Sequence, residues 1–92
     1  MITAQVEVAV RNLLQDRGLK QLPNENLGDF VARGLGITAK QANAFLAAIN
    51  DGNTIEEAQS MAGIESGLPQ GGLLVEIGRA IGAAIGKITA KS

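Results

Sequence analysis

The chain contains no cysteine and no histidine, and its only aromatic side chains are those of Phe30 and Phe45. Without cysteine it forms no disulfide and offers no thiolate. Without histidine it also lacks the commonest general base and the commonest ligand of transition metals. We therefore predict that the protein is not an enzyme and uses no metal or cofactor.

The sequence also has no pattern typical of a secretory signal peptide or of a membrane-spanning helix, and it has no large net charge. The N-terminal stretch MITAQVEVAV has no basic region ahead of an apolar one, so we expect no secretory signal peptide. Glu76, Arg79 and Lys87 interrupt the most apolar segment, which excludes a run of about 20 uncharged residues. The net charge of −1 weakly opposes a nucleic-acid partner. These features favour a cytoplasmic protein or a component of a larger assembly.

The composition indicates one folded domain. The chain has 92 residues, of which 46% are hydrophobic, and a mean hydropathy of +0.15. This is enough apolar surface for a packed core in a single domain. Helical spacing of apolar residues predicts an all-α protein, a compact bundle of about five short helices. Four of them lie in residues 1–64, a loop follows at 65–72, and a longer helix rich in glycine and isoleucine covers 73–90.

Helix starts and ends are marked by cap residues. Asn26, Thr38 and Thr54 each precede a run with helical apolar spacing, and Asp29, Gln41 and Glu57 stand three residues after them. This is the spacing of a capping box, in which two side chains satisfy two free backbone N–H groups. Glycines that favour helix ends follow each predicted helix: Gly18, Gly34 or Gly36, Gly52, and Gly63.

The last predicted helix carries glycines at a strict interval of four, in GRAIGAAIGK. Each of these costs roughly 0.8–1 kcal/mol against alanine inside a helix. On a helical wheel Gly78, Gly82, Gly86 and Val75 form a smooth strip. On one side of it lies a bulky apolar face, and on the other lie Glu76, Arg79, Ala80, Ala83 and Lys87. The bulky face consists of Leu74, Ile77, Ile81, Ile85 and Ile88.

A second backbone lying against the smooth strip would offset the loss of helix propensity through dispersion contacts. It could belong to another helix of this chain or to the same helix of a second copy. We predict a non-enzymatic interaction or assembly protein that forms a homo-oligomer or binds a protein partner. The predicted interface is Val75, Gly78, Gly82 and Gly86.

Residues 37–64, ITAKQANAFLAAINDGNTIEEAQSMAGI, resemble the first two helices of the helix-turn-helix region in phage terminase small subunits and transposase-type domains. The resemblance implies an alternative function, DNA binding, with Arg33 and Lys40 near phosphate. The residues that carry it are Thr38, Lys40, Gln41, Phe45, Gly52, Asn53, Thr54, Ala58, Ala62, Gly63 and Ile64.

The chain departs from this family where the DNA-reading helix should follow, since ESGLPQGGLL has one acid, no base, one proline and three glycines. The other cations also argue against DNA. Arg11, Lys20 and Arg33 each follow an acid by four residues and Arg79 follows one by three, the spacing of solvated ion pairs. The cations without such a local partner are Arg17, Lys40, Lys87 and Lys91.

A third hypothesis comes from LPQGG followed by a Gly- and Ile-rich tail. This arrangement resembles a double-glycine leader joined to a bacteriocin-like peptide. Pro69 stands where such leaders usually carry an apolar residue, and the capped helices before it indicate a folded domain.

Overall fold

The computed structural model describes residues 3–65 and 71–90, with side chains up to residue 86, and over this range it contains only helices and connections. The all-α prediction is confirmed. The five helices are α1 (Ala4–Asp16), α2 (Leu27–Leu35), α3 (Ala39–Asn50), α4 (Ile55–Met61) and α5 (Gly71–Ala90).

The first four helices begin at side-chain caps. Thr38 and Thr54 each form the complete reciprocal capping box that the sequence predicts, with Gln41 and Glu57. Asn26 caps α2 in one direction only, accepting from the backbone N–H of Asp29. Thr3 caps α1 in the same way. Each cap satisfies N–H groups that have no partner inside the helix.

The end of α2 distinguishes the two glycines that the sequence leaves as alternatives. Gly36 is the C-cap, with a φ of 71° in the left-handed region, where a β-carbon is unfavourable. Gly34 instead lies inside the helix, and a β-carbon there would approach Cδ1 of Leu19 at 3.0 Å. Gly34 therefore allows the loop after α1 to pack closely on α2.

Helix α5 lies at the centre of the packing, because it contacts each of the other four helices. Both phenylalanines are fully buried, and the remaining core is aliphatic. Three residues of the bulky face of α5, Leu74, Ile77 and Ile81, are also buried in this core. The helix that carries the glycines is thus an integral part of the fold.

The boundaries differ from the prediction mainly at α5. The helix begins at Gly71, two residues before the predicted start at residue 73. The predicted loop at 65–72 is therefore shorter, and its residues 66–70 lie outside the described part of the chain.

Candidate functional site

The small-residue strip of α5, defined by Val75, Gly78, Gly82 and Gly86, is divided between two environments. Gly78 is buried under Ile55, the first residue of α4. A β-carbon on Gly78 would lie 2.6 Å from Cγ1 of Ile55, well inside van der Waals contact. This glycine therefore allows close approach of α4 within the same chain.

Further along the strip, Gly82 and Gly86 are exposed, and no atom of the described residues lies within 4 Å of the place that a β-carbon would take on either residue. Alanine would fit at both positions and would favour the helix. Packing among the described residues of the single chain thus gives no reason for glycine here. Val75 is half-buried at the other end of the strip.

The core-facing side of α5 follows the predicted wheel. Leu74, Ile77 and Ile81 are buried, whereas Ile85 is half-buried against the same core. The side chain of Ile88 lies outside the described residues. Burial therefore decreases toward the C-terminal half of α5, where the exposed glycines also lie.

Beside the strip lies an apolar groove that the sequence analysis missed. It has a volume of about 610 Å³ and runs between the N-terminal half of α1 and the C-terminal half of α5. We call it the alanine groove, after its lining residues Ala4, Gln5, Val8, Ala9, Ala80, Ala83 and Ala84. The wheel placed Ala80 and Ala83 on a polar face. One feature of the sequence could have indicated the groove, because an alanine side chain is too small to fill a gap between two helices. The alanines concerned are Ala4, Ala9, Ala80, Ala83 and Ala84.

The ion pair between α1 and α5 differs from the one that the sequence predicts. Arg17, which has no acid at helical spacing, forms an ion pair with Glu76 of α5. Arg79, expected to pair with Glu76 on its own helix, is exposed, and no ion pair within residues 3–65 and 71–86 includes it. The ion pair at one end and the groove at the other show that α1 and α5 run antiparallel.

Arg33, predicted as a possible DNA contact, is held by the protein itself. Its Nε and Nη2 atoms donate to the two carboxylate oxygens of Glu25, at 2.9 and 2.8 Å, and Nη2 also donates to the backbone oxygen of Lys20. Its guanidinium carbon lies 5.4 Å from the centre of the Phe30 ring. The prediction that Arg33 pairs with Asp29 on its own helix is therefore wrong, because the loop before α2 brings Glu25 to Arg33.

This network changes the titration of both charged groups. The Arg33 hydrogen bonds, helped by the Leu22 backbone N–H, lower the pKa of Glu25 to about 2. The carboxylate raises the pKa of Arg33 in return. A paired arginine whose donors are in use is a poor phosphate ligand, so the network opposes a DNA contact through Arg33.

The segment that resembles a helix-turn-helix does form two helices, α3 and α4, joined by residues 51–54. Lys40 is exposed in the first turn of α3. The exposed side chains at the start of α4 are Glu56 and Glu57, and hydrogen bonds from Thr54 lower the pKa of Glu57. Glu56 and Glu57 make the exposed start of α4 negative, which opposes a role for this helix in reading DNA bases.

The double glycine of the third hypothesis, Gly71 and Gly72, forms the start of α5. Leu73 and Leu74 follow directly and are buried. Cleavage after Gly72 would therefore remove core side chains from the domain. For metals, no cluster of three or more acidic residues within the described ranges is placed to hold an ion.

The described residues form an all-α domain in which Ile55 covers the small-residue strip of α5 at Gly78 and leaves it open at Gly82 and Gly86. No protein-family model, curated protein or solved structure matches the chain. The resemblance of residues 37–64 to a helix-turn-helix stays a prediction. Among the described helices, none combines the length and the apolar character needed to cross a membrane.

Proposed function

We propose that this protein is a non-enzymatic assembly module that associates with a second copy of itself through the small-residue strip of α5. The observation that carries the proposal is the open space at Gly82 and Gly86. Two exposed glycines inside a 20-residue helix weaken it by roughly 0.8–1 kcal/mol each, with no gain in packing against the residues that the structure describes. A backbone docked from outside the chain supplies such a gain.

Gly78 supports the same interpretation by contrast. At this position the chain itself provides the close neighbour, Ile55, and glycine is required for the contact. The same spacing continues to Gly82 and Gly86, where the described part of the chain provides no neighbour. A helix from a second copy at these positions would complete one continuous small-residue contact along α5.

A Gly82→Leu variant tests the proposal, with molar mass measured by light scattering over a range of concentrations. The wild-type chain should exceed its monomer mass of 9.5 kDa as the concentration rises. The variant should remain close to that mass and melt at least as high, because leucine favours a helix and has room in the monomer. The matched control is Ala47→Leu, at an exposed small residue of α3, which should associate like the wild type.

The proposal fails if the wild-type chain is a monomer at every concentration, or if Gly82→Leu associates as strongly as Ala47→Leu. A partner other than a second copy would give the first of these results.

A second candidate function is DNA binding, favoured by one observation: the two capped helices α3 and α4 are joined by a short turn and have Lys40 exposed at one end. If it is correct, duplex DNA binds at low salt with a log–log salt dependence, and Lys40→Gln reduces that slope by about one. Absence of binding in a low-salt titration removes this candidate.

A further inference from the structure

We propose that Asp51 and Gly52, in the turn between α3 and α4, form a self-modification site at which Asp51 converts to isoaspartate when the turn opens. No other aspartate or asparagine in the sequence is followed by glycine, and both residues are exposed. The closed turn holds the pair in a geometry that does not react, so the fold controls the rate of the modification. This proposal is independent of self-association.

The reaction needs only these two residues and water. The backbone nitrogen of Gly52 attacks Cγ of the Asp51 carboxylic acid, an N–Cγ bond forms, and the acid hydroxyl leaves with the N–H proton as water. Water then hydrolyses the resulting succinimide ring at either of its carbonyl groups. Hydrolysis at the backbone carbonyl leaves the main chain running through the side chain of Asp51, which is isoaspartate. Glycine favours ring closure because it has no β-carbon to crowd the attacking nitrogen.

The backbone torsion of Asp51 keeps the reacting atoms apart in the folded chain. Ring closure requires the Gly52 nitrogen to eclipse Cβ of Asp51 about the Cα–C bond, because all four of these atoms belong to the ring. Asp51 has a ψ of −3°, at which the Gly52 nitrogen eclipses the backbone nitrogen of Asp51 instead. Asp51 therefore has to leave its helical conformation before Gly52 can attack.

Hydrogen bonds hold the turn in this conformation. The N–H group of Gly52, which contains the attacking nitrogen, donates to the backbone oxygen of Ile49 at 3.0 Å. Asn53 donates twice to the backbone oxygen of Ala48, from its backbone N–H at 3.1 Å and from Nδ2 at 2.9 Å. Because Ala48 and Ile49 are buried in the core, the turn is fixed to a well-packed part of α3. Local opening that breaks these bonds has to precede the reaction.

The product does not fit the closed turn. Isoaspartate adds one carbon atom to the main chain between residues 51 and 52, and α4 begins soon afterwards at Ile55. Ile55 is the residue that packs on Gly78 of α5. A longer main chain in the turn therefore disturbs the contact between α4 and α5, and the modified chain should be less stable.

The test compares the folded full-length protein with the same chain in guanidinium chloride, at one pH and one temperature. Peptides containing residue 51 are separated by chromatography, and electron-based fragmentation identifies isoaspartate, since the mass is unchanged. We expect isoaspartate at residue 51 to form about tenfold or more faster in the unfolded chain, because the folded chain reacts only after opening. Asp51→Glu, whose longer side chain cannot close the same ring, should give no product. Absence of isoaspartate in the unfolded wild type, or equal rates in the two conditions, overturns the proposal.

The Asn53 side chain tests whether the turn limits the rate in the folded chain. Asn53→Ala removes the Nδ2 bond to Ala48, and the folded-state rate should rise roughly two- to tenfold, the effect of losing one hydrogen bond. The matched control is Asn12→Ala, at an exposed asparagine of α1, which should react like the wild type. Circular dichroism checks that both variants are folded. If folded Asn53→Ala reacts no faster than Asn12→Ala, the turn does not control the modification.

The stability of the product is the last measurement. The isoaspartate form, separated from the unmodified chain by ion exchange, should unfold at a lower urea concentration. Equal midpoints for the two forms would show that the turn accepts the longer main chain, against the proposed geometry.

Discussion

Gly78 and Gly82 lie about one turn apart on the same strip of α5, and their surroundings are opposite. Gly78 is buried, and Ile55 occupies the space where a β-carbon would go. Gly82 is exposed, and none of the residues that the structure describes comes within 4 Å of that space. A regular spacing in the sequence thus combines one glycine that the contact with Ile55 requires with another that contacts within the described part of the chain do not explain. Variants at Gly78 therefore test packing within the chain, whereas variants at Gly82 test the proposed contact between chains.

The largest expected effect concerns the core face of the same helix. Ile81→Ala should destabilise the domain by about 2–5 kcal/mol, because Ile81 is fully buried and its truncation leaves a cavity. Ile85→Ala, one turn later, should cost less, since Ile85 is only half-buried. Urea unfolding of both variants measures the difference. Equal losses would contradict the decrease in burial along α5.

Gly78→Ala should destabilise the domain by about 1 kcal/mol. The new methyl group would overlap Ile55, and overpacking of this kind costs about 1–3 kcal/mol. The gain in helix propensity returns roughly 0.8–1 kcal/mol. Combining it with Ile55→Ala in a double-mutant cycle should reveal a coupling of about 0.5–3 kcal/mol. Simple additivity would show that the Ile55 contact is not the reason for glycine at this position.

Gly82→Ala is the counterpart, and its effect on stability should have the opposite sign. With open space for the methyl group, the monomer should gain roughly 0.8–1 kcal/mol, measured by urea unfolding at a concentration where the chain is monomeric. The same variant should weaken association, because the methyl group keeps a docked backbone at a greater distance. If Gly82→Ala is more stable but associates as well as the wild type, Gly82 does not serve a contact between chains.

The local features of the fold could be predicted from the sequence because short-range chemistry determines them. Thr38 and Thr54 stand three residues before a side chain that can return the hydrogen bond, and both reciprocal caps form. The apolar spacing of α5 likewise identified Leu74, Ile77 and Ile81 as its core face. In each case the evidence lies within a few positions along one helix.

Contacts between distant segments could not be predicted in this way. Helical spacing assigned Arg33 to Asp29 and Arg79 to Glu76, whereas the chain brings Glu25 to Arg33 and Arg17 to Glu76.

The alanine groove was missed for a related reason. A wheel of α5 alone does not show that α1 lies beside Ala80 and Ala83, which it placed on a polar face. The sequence indicated that the glycines need close neighbours, but only the fold shows that Ile55 serves Gly78.

The smallest expected effect tests whether stability and association depend on different parts of the molecule. Arg33 holds the pKa of Glu25 at about 2 in the folded chain, below the value of about 4.3 for a free glutamate. The folded state therefore gains stability from this carboxylate above about pH 4.3, and it loses that gain progressively as the pH falls toward 2. Glu25→Gln should flatten this part of the stability profile, measured by thermal melts between pH 6 and pH 2.

The control for this profile is Glu65→Gln, at an exposed residue whose backbone oxygen, and not its carboxylate, accepts a hydrogen bond from Gln59. It should retain the acid response of the wild type. Glu25→Gln should also leave the association of the chain unchanged near neutral pH, because the network joins the loop to α2 and includes no residue of the strip or the groove. Gly82→Ala should do the reverse, altering association and retaining the acid response. If Glu25→Gln instead dissociates the dimer at neutral pH, the interface includes the loop before α2, and its placement on the strip of α5 is wrong.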